Sequence, residues 1–141
     1  MRPKKKERKD PAYIREQGHL EARGVKSRRI TFSFTKQIPT QGQTIEEWDK
    51  LGLLGNLTHR MKYVGQFSTQ EAIQDGCIKQ YTQVDFPLGS GFTHPKHIID
   101  VTWAVMHITK TSFEVVAGFL EDDVFYIVFL DKDHKFWPTS R

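Results

Sequence analysis

The residues best equipped for chemistry stand together near the C-terminus, in the run Asp131-Lys132-Asp133-His134-Lys135-Phe136-Trp137. An imidazole exchanges protons near neutral pH, and a lysine ammonium stabilises the charge on a phosphate oxygen. His134 with Lys132 and Lys135 therefore matches metal-free RNA cleavage, in which a 2′-hydroxyl attacks the adjacent phosphate. Tyr126 adds a hydroxyl if its side chain faces the same side. One histidine among lysines and aspartates is also what an ordinary solvated turn looks like, with His134 capping or packing. Trp137, beside the basic cluster, either stacks on a base or closes the end of the sheet.

Other chemistries find less in the chain. Asp131, Asp133 and His134 could ligate a divalent ion, as could His94, His97 and His107. Neither group has a cysteine nearby, and the expectation is a protein without metal or other cofactor. Gly89-Ser90-Gly91 lacks the lysine and helix of a phosphate-binding loop. No Gly-x-Ser-x-Gly elbow occurs. Cys77 is the only cysteine, which excludes an internal disulfide and any multi-cysteine zinc site. It lies beside Gly76 without a local base and reads as inert.

The elements that must hold these groups can be read outward from the C-terminal run. It follows Val124-Phe125-Tyr126-Ile127-Val128-Phe129-Leu130, which is apolar throughout, as expected of a central strand covered on both faces. Such a strand is a rigid support for a site at its end. The acidic turn Glu121-Asp122-Asp123 joins it to a strand from Phe113 to Leu120, and Asp100 to Ile108 is another. Ile78 to Val84 is a weaker strand, and Pro87 to Pro95 is loop by composition. Near the start, Ile30, Phe32 and Phe34 alternate with polar residues as in a half-buried strand.

Two helices lie between. Thr44 with Glu47, and Ser68 with Glu71, form capping boxes. Ile45, Trp48, Leu51, Leu54, Leu57, Met61 and Val64 make one apolar stripe. Gly52 and Gly55 each weaken that helix by about 1 kcal/mol relative to Ala, which leaves room for a break or a close packing contact. The expected class is α+β: two helices packed on a mainly antiparallel sheet of four to five strands. The strand aromatics Phe32, Phe34, Trp103, Phe125 and Phe129 read as core rather than as base-stacking groups.

Charge divides the chain further. The 141 residues carry a formal +4, but residues 1–29 hold 11 basic and four acidic side chains, a local +7. The remainder holds 10 basic and 13 acidic groups, or −3. Residues 1–28 therefore read as a basic N-terminal arm and 29–141 as a single α+β domain. Lysine-rich arms displace condensed counterions from a phosphate backbone. Lys4, Lys5, Lys6, Arg8, Lys9, Arg28 and Arg29 are accordingly candidates for contact with RNA or DNA, the bland alternative being a solvated tail. No apolar run approaches the roughly 18 residues of a membrane helix, and the N-terminus lacks the apolar stretch of a signal peptide. The expectation is a cytoplasmic protein with no membrane partner.

The succession Trp103 to Ile108, Phe113 to Phe119, Val124 to Leu130 and Lys132 to Lys135 resembles the end of RelE/ParE-like toxins, and the preceding strand–helix–helix order fits as well. The resemblance spans about residues 29–137 and rests on short motifs. It implies a toxin of a toxin–antitoxin pair: an RNase acting on mRNA, often in the ribosome, or a gyrase poison, with an antitoxin protein as partner. His134 and Lys132 or Lys135 fall where such RNases carry C-terminal catalytic groups. Glu114 and Val115 stand where the family often has an arginine, and the acidic body lacks the family's basic groove. The alternative expectation, from another class, is a non-catalytic nucleic-acid- or ribosome-binding accessory protein of a phage or defence locus.

Overall fold

The computed structural model describes residues 28–83 and 85–138. Five strands form one sheet in the order β1-β5-β4-β3-β2: β1 is Thr31–Ser33, β2 Lys79–Gln80, β3 Trp103–His107, β4 Val115–Glu121 and β5 Val124–Asp131. The last three run as an antiparallel meander, and β2 continues that pattern along β3. β1, however, lies parallel to β5, pairing Thr31 with Val124 and Ser33 with Tyr126. The sheet is therefore mixed, where the sequence leads to an expectation of antiparallel pairing in the main. β5 is the most apolar strand and takes an inner position, buried along nearly its whole length.

Three helices are present where the sequence predicts two: α1 Ile45–Lys50, α2 Leu53–Val64 and α3 Thr69–Asp75. The stripe that reads as one helix is cut at Gly52, whose φ of 76° is left-handed. That conformation ends α1 and re-aims the chain into α2, and it is available to glycine without the clash a Cβ would bring. Both capping boxes form as the sequence indicates, with Thr44 and Ser68 accepting from the amides of Glu47 and Glu71.

The sheet is covered on both faces. On one, Trp48, Leu57, Val64 and Ala72 from the helices pack on Ala104, Met106, Val116, Phe125, Ile127 and Leu130. On the other, the long loop between β2 and β3 and the chain end supply Phe86, Phe92, Ile98 and Phe136 against Trp103, Val105, Phe119, Val128 and Phe129. A bulge explains how β5 serves both layers. Ala117 pairs with Phe129 and Gly118 with Ile127, so Val128 is an extra residue on β5. The parity shifts there, and Val128 and Phe129 both join the second layer. Gly118 makes the bulge possible, because a Cβ on it would lie 1.7 Å from the Tyr126 carbonyl oxygen.

Of the five aromatics read as core, Trp103, Phe125 and Phe129 are fully buried and Phe32 is half-buried against the helix-side core, but Phe34 lies just beyond β1 and is exposed, because the strand ends at Ser33 before the alternation reaches it. The acidic turn between β4 and β5 places Asp122 and Asp123 at φ 52° and 65°, the paired left-handed conformation that matches the twist of a tight hairpin. Among the described residues, no helix is long and apolar enough to cross a membrane.

Candidate active site

Three adjacent strands end level with one another, because His107 of β3 pairs with Val115 of β4, which in turn pairs with Asp131 of β5. This edge collects the groups that matter. The His134 ring lies 5.2 Å from the His107 ring, centroid to centroid, with the planes tilted by 46°. Arg60 of α2 reaches the same edge and donates from Nε to the His107 carbonyl at 3.0 Å, while its guanidinium lies 5.1 Å over the Tyr63 ring.

His134 sits in a turn anchored at both ends. Asp131 is 1% exposed, and its carboxylate accepts from the amides of Lys135 (2.9 Å) and Phe136 (2.7 Å). Hydrogen bonds from two amides offset the cost of burying the carboxylate. Phe136 is buried in the second core layer and draws the chain back onto the sheet. On the other side, Gln43 Oε1 accepts from the Lys132 amide (2.7 Å) and from the Trp48 indole (3.0 Å), tying the turn to the start of α1. Between these anchors His134 adopts φ 58°, a left-handed conformation uncommon for residues other than glycine. Surroundings that fix both flanks can hold such a residue in place.

The electrostatics of the pair are asymmetric. His107 is held below its ordinary value of 6.5, first by burial of the ring and then by the nearby His134 and Arg60 charges. A hydrogen bond to the Ser112 backbone works in the opposite direction, favouring the protonated ring. The balance keeps the imidazole neutral at pH 7. A neutral imidazole keeps one ring-nitrogen lone pair and can accept a proton. Two imidazolium charges at this spacing repel, so the pair holds one proton more readily than two.

The residues singled out from sequence fall into several groups. His134, Lys132 and Lys135 share the anchored turn. Lys132 pairs with the neighbouring Asp133 at 3.0 Å, an exposed contact worth about 0–1 kcal/mol and readily exchanged for another anion. Lys135 is exposed, and its carbonyl accepts from the Gly91 amide. Tyr126 does not join them. It lies well back along β5, about 16 Å from the strand end at ~3.3 Å per residue. There it stacks on Phe119 with Lys36 over its ring.

Trp137 stacks at 4.0 Å on Tyr81, whose amide bonds to Trp103 at the far end of β3. One face of the indole is therefore occupied, and the ring closes that end of the second layer. Arg28 pairs with Asp123 at 3.1 Å and Arg29 donates to the Gln66 carbonyl, so both tie the strand entry to the body. Lys4, Lys5, Lys6, Arg8 and Lys9 lie outside the described residues.

Sequence alone marks His107 only as a metal-ligand option, and it does not mark Arg60. His107 ends an otherwise buried strand, so a polar residue at the close of an apolar run is the signal that points to it. Nothing in the local sequence of α2 singles out Arg60. Among the described residues no three His, Cys, Asp or Glu side chains are grouped to hold a metal ion. His94 is instead half-buried, stacked on Phe86 and bonded through Nε2 to the Ile98 carbonyl. The Cys77 thiol is buried and pushed up to about 11, chiefly by burial, which fits an inert cysteine. Comparisons with family models, with curated proteins and with solved structures find no match for this chain.

Proposed function

We propose that this protein is a metal-independent endoribonuclease acting on mRNA, free or on the ribosome, in the manner of a toxin restrained by a partner antitoxin. The observation that carries the reading is the His107–His134 pair at the sheet end, 5.2 Å apart and beside Arg60. Two imidazoles are sufficient for transesterification of RNA. His107, neutral at pH 7, takes the proton of the 2′-hydroxyl as its oxygen attacks phosphorus. His134 in its protonated form gives a proton to the departing 5′-oxygen. The P–O5′ bond breaks as the P–O2′ bond forms, leaving a 2′,3′-cyclic phosphate and a 5′-hydroxyl. Lys132, Lys135 and Arg60 supply the positive charge that the phosphorane dianion requires.

Inducible expression tests the reading. The wild-type chain should arrest growth and fragment mRNA, and His134→Ala should do neither. Full activity in that variant would remove the assignment.

A further inference from the structure

The turn between β3 and β4 carries a feature that the two-histidine chemistry does not use. Phe113 is 75% exposed, whereas Phe119, Phe125, Phe129 and Phe136 are all buried. A single exposed apolar side chain needs no explanation by itself. Its setting is what distinguishes this one. The turn starts at His107 and returns at Val115, its partner across the strands. Val115, two residues beyond Phe113, pairs across the strands with His107, so the turn stands at the sheet end that carries the histidine pair.

The turn that presents it is braced. The Ile108 amide bonds to the Glu114 carbonyl, the Thr109 and Ser112 hydroxyls bond to each other, and the Ser112 amide donates to Thr109 Oγ1. Lys110, exposed in the same turn, adds a cation to it. An exposed aromatic on a braced turn that also carries a cation is the equipment that binds unpaired nucleotides, since every base offers a face to stack on.

We propose that Phe113 is a base-stacking platform that holds an unpaired base next to the phosphate addressed by the histidine pair, which makes the substrate single-stranded RNA. The proposal rests on the nuclease reading for the position of the phosphate. A base paired in a duplex has its faces covered by neighbours and cannot lie on the ring. Phe113 therefore selects against double-stranded RNA by geometry, without reading sequence.

Equilibrium binding by the full-length chain tests it, using a labelled mixed-sequence RNA 12-mer that is fully 2′-O-methylated and so cannot be cleaved. The same strand annealed to its complement is the second probe. Phe113→Ala should weaken single-strand binding roughly tenfold, as expected when one base is no longer stacked. Phe113→Trp should restore it. Duplex binding and the salt slope should be unchanged in both variants, because neither substitution removes a cation that neutralises phosphate. Wild-type affinity for the single strand in Phe113→Ala overturns the proposal, as does an equal weakening on the duplex. Cleavage of the unmodified 12-mer separates the two readings. If His134→Ala still cleaves while Phe113→Ala binds weakly, the nuclease assignment falls and the platform stands. If cleavage needs His134 but Phe113→Ala binds normally, only the platform falls.

Discussion

At the scale of single residues, the pair of imidazoles gives a pH signature with a definite sign. The His134 charge is one of the influences holding His107 below 6.5, so removing it must let His107 rise. NMR titration of the His107 ring in His134→Gln should show an upward shift toward 6.5, and an unchanged or lower value would contradict the geometry. The same depression links to stability. The unfolded chain binds this proton more tightly than the folded one, so the contribution of His107 is complete above pH 6.5 and is lost as pH falls through its folded value. Activity should follow the same group, with an acid limb lying below pH 6.5 that reports deprotonation of the base. His134 is legible in the sequence because it closely follows the most apolar strand. Its partner is not, since the meeting of His107 and His134 depends on strand register rather than on spacing along the chain.

At the scale of elements, the turn that carries His134 depends on two polar side chains far apart in sequence, the buried Asp131 and the half-buried Gln43. Asp131→Asn keeps one acceptor oxygen and replaces the other with an amide that faces a backbone N–H. The expected cost is about 1–3 kcal/mol in urea unfolding, together with a fall in cleavage larger than the drop in stability would give. An Asp131→Asn protein that is as stable and as active as wild type would show that the carboxylate does not hold the turn. Gly118→Ala tests the bulge in the same way. Its Cβ has no space beside the Tyr126 carbonyl, so β4 and β5 must separate or shift, at about 3 kcal/mol.

The capping boxes of α1 and α3 are readable from Thr44, Glu47, Ser68 and Glu71, because their chemistry is local. The cut at Gly52 is readable only as a weak point. The parallel pairing of β1 is not readable at all. A three-residue strand carries no mark of its neighbour's direction, and Thr31 to Ser33 find β5 through tertiary packing.

At the scale of the whole molecule, the charge split makes separate roles for residues 1–27 and the body a testable expectation. Residues 1–27 contain nine of the 21 basic side chains, while the histidine pair, Arg28 and Arg29 belong to the described body. Removing residues 1–27 should lower RNA affinity and flatten its salt dependence, by about 0.7 in the log–log slope for each phosphate of a single strand that the arm no longer neutralises. Cleavage of a short RNA at saturating concentration should survive the deletion. If binding disappears and wild-type protein never cleaves, the accessory-protein reading is the better one.

The second layer of the sheet extends the same point. Composition marks Pro87 to Pro95 as loop, and it is loop, yet Phe86 and Phe92 on it and beside it cover the face opposite the helices. Such a cover has no periodicity to reveal it. It matters for the site because Phe136, which pulls the His134 turn down, is buried under that cover.

If two histidines cleave RNA without a metal ion, the ends of the products carry the record of that chemistry. Purified wild-type protein incubated with single-stranded RNA in EDTA should generate fragments ending in 2′,3′-cyclic phosphate and beginning with 5′-hydroxyl. His107→Ala and His134→Ala should each slow that reaction by roughly 10²–10⁴-fold. Cleavage abolished by EDTA, 5′-phosphate ends, or undiminished rates in both variants would rule out the two-histidine reaction.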